Sequence, residues 1–88
     1  MKWNRNRSKT RQWQRSHLVG KQSGRCALCG KLFESMKDIT FDHIVAVSLG
    51  GDDTLENLQL AHFKCNQSKG IMSQEEWEIF QKGGDKVE

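Results

Sequence analysis

The sequence predicts a small α+β domain stapled by a structural metal ion, and three observations lead there. The chain has 88 residues, of which 35% are hydrophobic, too little apolar surface for a comfortably stable core without a cross-link. Two pairs with the same spacing, Cys26-x-x-Cys29 and His62-x-x-Cys65, offer four ligands to one ion. Around them, short runs rich in β-branched and aromatic residues alternate with segments that carry helix start and stop signals.

Length leaves room for one domain. No apolar run approaches bilayer-spanning length, and the opening Met-Lys-Trp-Asn-Arg lacks the apolar core of a secretory signal, so the expected setting is the cytoplasm, away from membranes. Three cysteines cannot all pair within the chain. In a reducing compartment that odd number favours metal ligation over a disulfide framework.

The net charge of +3 hides an asymmetry: Met1 to Leu32 carries nine Lys and Arg residues and no acid, and all eleven acidic residues lie at Glu34 or beyond. A charge run alone reads equally well as a solvated arm. Trp3 and Trp13 lie among the cations and tip the reading toward nucleic acid, because aromatic faces stack on bases while cations neutralise phosphate. Lys2, Arg5, Arg7, Lys9, Arg11 and Arg15 are the candidate contacts. The expected organisation is a mobile basic arm over residues 1–8, a single domain over 9–83 and a frayed tail over 84–88.

Taken in order, a Ser8 cap, good helix formers and Gly20 predict a helix over 8–20, with Trp13, Leu18 and Val19 on a patchy apolar face. His17, with no Cys, Asp or Glu near it in sequence, reads as a surface or phosphate-facing residue. Cys26-Ala27-Leu28-Cys29-Gly30 has the shape of a zinc knuckle, with Gly30 able to adopt the positive φ of the tight turn. A lone C-x-x-C could equally be redox-active. The second pair decides for a closed Cys₃His zinc site built from Cys26, Cys29, His62 and Cys65. Lys31–Glu34 and Asp38–Phe41 are then expected as short strands, and Phe41, Ile44, Val45 and Val47 as core.

Ser48 to Asp53 is turn chemistry, in which Asp52 and Asp53 read as solvated or capping residues. Thr54–Leu60 returns as loop into strand, with Leu55, Leu58 and Leu60 inward. A helix follows from about Phe63 to Lys69, ended by Gly70. Ser73-Gln74-Glu75-Glu76 is a capping box opening a last helix in which Trp77, Ile79 and Phe80 are expected as core or lid, stopped by Gly83.

The chemistry concentrates between Thr40 and Gly70. Asp42, His43, Asn57 and Asn66 offer a carboxylate, an imidazole and two amides, the groups needed to hold a divalent cation and activate water. Adjacent strand residues point to opposite faces, so the strand must end or bulge at Asp42-His43 if both are to serve one site.

The stretches DHIVAVSLGGDDTLENLQL and CNQSKG, with the knuckle before them, resemble the HNH nucleases, also called ββα-metal or treble-clef nucleases, over roughly residues 26 to 70. Ala46 stands where many members carry Pro, and Asn66 stands at the third His position. The resemblance implies a zinc-stapled ββα-metal domain with flanking N- and C-terminal helices. It implies a DNA phosphodiesterase with His43 as general base and with Asp42 and Asn66 on one Mg²⁺ or similar cation such as Mn²⁺. It further implies Asn57 bonded to the His43 ring, Lys69 at a phosphate, and products with 5′-phosphate and 3′-hydroxyl ends. It places His62 where zinc-binding members carry a Cys; the other assignment puts His62 on the catalytic cation with Asp42 and Asn66. By analogy, the size suits a phage or mobile-element enzyme working with a larger partner such as a packaging complex. The competing reading is a zinc-knuckle DNA-binding or adaptor module that does not cleave.

Overall fold

The computed structural model describes the backbone of residues 2–82 and the side chains of residues 10–82. The elements run α1 (Lys2–Lys21), β1 (Ile39–His43), β2 (Leu58–His62), α2 (Phe63–Lys69) and α3 (Gln74–Gln81). The two strands form one antiparallel hairpin, and α2 continues directly from β2 across it. This is the α+β, ββα arrangement expected of the zinc-bound fold, with helices on both flanks.

Three expectations need correction. α1 begins at Lys2 instead of Ser8, since no Pro or Gly interrupts the chain before Gly20 and Lys and Arg are good helix formers. Residues 31–34 are not a strand: only the isolated bridge Arg25↔Leu32 forms there, because the knuckle's own turns consume the chain on both sides. Val45 and Val47 are exposed rather than core, since β1 has already ended at His43 and the chain turns away from the sheet.

The core has two clusters joined through Phe33. Cys26, Leu28, Ala61 and Trp77 form one, around the knuckle. Leu18, Leu58 and Leu60 form the other, where α1 lies against β2. Trp77 also donates its indole N–H to the Leu28 carbonyl at 2.8 Å, which ties α3 to the knuckle and satisfies a polar group that burial would otherwise strand. Ile79 and Phe80 are exposed. α3 opens on the expected capping box between Ser73 and Glu76, while Gly83 lies outside the described residues.

α1 is fixed to the sheet by a polar device as well as by Leu18. The Gln22 side chain donates to the Leu60 carbonyl at 3.0 Å and accepts from the Leu60 N–H at 2.8 Å. Its amide thereby satisfies both main-chain groups of one residue of β2, much as a neighbouring strand would.

Candidate active site and metal centre

The candidate zinc ligands come from two turns. The N–H groups of Leu28, Cys29 and His62 point at Cys26 Sγ at 3.3, 3.4 and 3.4 Å, and Gly30 has φ 80° as the turn requires. His62 ends β2 and precedes α2, which projects its Nδ1 to 3.3 Å from Cys29 Sγ and 3.9 Å from Cys65 Sγ. All four donor atoms lie within 4.8 Å of one another. Tetrahedral zinc has ligand-to-ligand edges of about 3.5–3.8 Å, so Cys26, Cys29, His62 and Cys65 fit a closed structural site.

The electrostatics point the same way. Burial pushes the Cys26 thiol up, but the N–H groups of His62, Cys29 and Leu28 aimed at its sulfur bring it below its ordinary value. The Cys65 thiol is pushed up to about 12, by burial first and then by the neighbouring Cys26 and Cys29 sulfurs. Three thiolates packed this closely repel one another, and a dication removes the conflict. His62 is committed to this cluster, so the assignment of His62 to the catalytic cation is set aside. Asp38 Oδ2 lies 3.9 Å from His62 Nε2, a carboxylate behind a metal-binding imidazole.

A second candidate site lies where the end of β1 meets α2. β1 ends at the Asp42-His43 pair, in regular register with Gln59 and Leu58, so the pair is accommodated by strand termination and not by a bulge. Asp42, His43 and Asn66 line one cleft of about 270 Å³, with Phe41, Val47 and Ile71 among its walls. The Asn66 amide N–H₂ donates to Thr40 Oγ1 at 3.1 Å and to the Phe41 carbonyl at 3.0 Å. That fixes the amide so that Oδ1, a hard acceptor, is the end left for the cleft.

Asp42 is 3% exposed, and its Oδ2 accepts from Gln59 Nε2 at 2.8 Å. Lys69 Nζ lies 3.3 Å from both carboxylate oxygens and donates to the His43 carbonyl at 3.2 Å. A carboxylate has about four acceptor positions, so these partners leave capacity for a cation. Lys69 is itself only 1% exposed. This corrects the expectation of Lys69 at a phosphate: the end of α2 points it inward, where it neutralises Asp42.

Asn57 also departs from its expected role. Its side chain donates to the Val45 and Asp52 carbonyls at 3.1 and 2.7 Å and accepts from the Val45 N–H at 2.8 Å, stapling the loop between the strands and not touching the His43 ring. Gly51 makes that staple possible, because a Cβ there would sit 1.8 Å from the Val45 carbonyl oxygen. Asp52 caps the turn as expected: Thr54 Oγ1 and N–H donate to its Oδ1 at 2.7 and 3.2 Å, and they hold its carboxyl below the usual range.

The residue that the sequence did not single out is Asp53, whose Oδ1 lies 2.6 Å from His43 Nε2. Arg11 Nη2 is 3.9 Å from the same oxygen, and the Arg11 and Arg15 guanidiniums stand 4.7 and 5.8 Å from the centre of the Phe41 ring. Two of the predicted cationic contacts thus stand over Phe41, one of the residues that line the cleft. The side chains of Lys2, Arg5, Arg7 and Lys9 lie outside the described residues. Trp13 and His17 stack at 5.5 Å on the exposed side of α1.

Among the described residues no helix is long and apolar enough to cross a membrane. Residues 26–71, more than half of the chain, match the family model described as HNH endonuclease. No curated protein matches the sequence.

Proposed function

Because this chain belongs to the HNH endonuclease family, we propose that it hydrolyses DNA phosphodiester bonds at the cleft between β1 and α2. The observation that carries the reading is that Asp42, His43 and Asn66, held by three different sets of hydrogen bonds, line that one cleft. His43 acts as general base, taking the proton of the attacking water. Asp42 and Asn66 present the hard oxygens that would hold one Mg²⁺ or Mn²⁺. When bound, such a cation supplies Lewis-acid stabilisation of charge on the phosphate and on the leaving 3′ oxygen.

Lys69 binds the Asp42 carboxylate and anchors the His43 carbonyl, so its service is to hold the two residues in place. Asn57 does the same for the loop that carries Asp52 and Asp53. Arg11 and Arg15, over Phe41, would neutralise DNA phosphates, and Lys2, Arg5, Arg7 and Lys9 would add to that charge. Zinc at Cys26, Cys29, His62 and Cys65 organises the fold and takes no part in the reaction.

Incubation of supercoiled plasmid with zinc-loaded protein, with and without added Mg²⁺ or Mn²⁺, tests the proposal. Cation-dependent nicked or linear product with 5′-phosphate ends is expected. Intact plasmid under every cation, with DNA binding retained, would instead identify a non-cleaving DNA-binding module.

A further inference from the structure

We propose that Asp53 is the positioning residue for His43, selecting which ring nitrogen is free to accept a proton. A carboxylate can only accept a hydrogen bond, so at 2.6 Å the His43 Nε2 must carry the hydrogen. In the neutral ring the other nitrogen, Nδ1, is then the unprotonated one and the base. Without this partner the two tautomers compete, and part of the population offers an N–H where an acceptor is needed.

Asp53 is 67% exposed at its side chain, yet the loop beneath it is pinned on both sides. Asn57 binds the Asp52 carbonyl at 2.7 Å, the Gly51 N–H donates to the Ala46 carbonyl at 2.9 Å, and Asp52 caps Thr54. Arg11 approaches the same Oδ1 from α1 at 3.9 Å, with its guanidinium over Phe41, so the carboxylate is held between a cation and the imidazole. The role that the resemblance implies for Asn57 is thereby vacant at Asn57, which is occupied with Val45 and Asp52, and Asp53 fills it. During the reaction the water proton moves to Nδ1, Nε2 keeps its hydrogen, and the Asp53 carboxylate faces the imidazolium that results.

The kinetic consequence rests on the nuclease reading, whereas the tautomer does not, and the test reads both. Two-bond ¹H–¹⁵N spectra of the zinc-loaded full chain, recorded with the ring neutral, should show His43 as a single Nε2–H tautomer. Asp53→Ala should shift His43 to a mixture and, because the ring also loses its orientation and the imidazolium its facing carboxylate, lower kcat on duplex DNA by at least about tenfold, with KM changed less than twofold. A single Nε2–H tautomer persisting in Asp53→Ala, or a kcat within twofold of the parent, would overturn the proposal. Should the parent cleave nothing, the nuclease reading fails and the tautomer comparison alone decides whether Asp53 holds the ring.

Discussion

Replacing Lys69 by Met removes one partner of a buried ion pair while nearly keeping its volume. The Lys69 and Asp42 side chains are 0% and 3% exposed, so solvent does not screen the loss. Breaking such a pair costs about 3–5 kcal/mol because the remaining charge is left buried, and the lost bond to the His43 carbonyl adds roughly 1 kcal/mol. In a domain of this size, a change of about 4 kcal/mol lowers Tm by roughly 15–30 °C. Urea titration of zinc-loaded protein in buffer without Mg²⁺, followed by fluorescence of the buried Trp77, measures it. The double variant Asp42→Asn/Lys69→Met should recover about 2–3 kcal/mol of that loss, because the orphaned charge is gone. A cost for Lys69→Met below about 1 kcal/mol would refute the buried pair and return Lys69 to the solvent side, at the phosphate where the sequence resemblance places it.

The remaining predictions concern the staple, the loop and the charged helix. Cys29→Ser should leave a largely unfolded chain by circular dichroism, since structural zinc contributes folding free energy of about 10 kcal/mol in small zinc domains; unchanged thermal stability in excess chelator would contradict it. Gly51→Ala should displace Asn57 from Val45 and lower stability by about 2–3 kcal/mol in the same urea titration, through a Cβ that meets the Val45 carbonyl oxygen at 1.8 Å. Changing Lys2, Arg5, Arg7 and Lys9 together to Gln should flatten the slope of log K against log salt by up to about 3.6 for duplex DNA. Fluorescence anisotropy across a salt series reads that slope, and no change would make the start of α1 a solubilising segment only.

What the sequence made legible was local. The zinc ligands announce themselves through two equal spacings, the α3 start through a capping box within four residues, and the Asp42-His43 pair through its place at the end of an apolar run. What it hid was long-range. Lys69 and Asp42 are 27 positions apart, and nothing near Lys69 distinguishes an inward ammonium from one that meets phosphate. The Gln22 clamp on Leu60 spans 38 positions and has no periodicity to betray it. Asp53 was hidden in a different way: in a Gly-rich loop a carboxylate reads as solvated, and long-range contacts such as the staple by Asn57 hold that loop beside His43. Strand assignment at 31–34 failed because apolar content cannot distinguish a strand from a knuckle turn packed on the core.

The most direct test of the cleft as a catalytic centre is single-turnover cleavage of a labelled duplex by His43→Ala and by the parent, both zinc-loaded, at saturating DNA and Mg²⁺. His43 contributes a proton acceptor and is not among the buried core residues, so the variant should fold, keep its zinc and bind DNA within a few-fold of the parent. Its cleavage rate should fall by about 10²–10⁴-fold. A rate within a few-fold of the parent would contradict the account, because among the described residues no other imidazole lines the cleft.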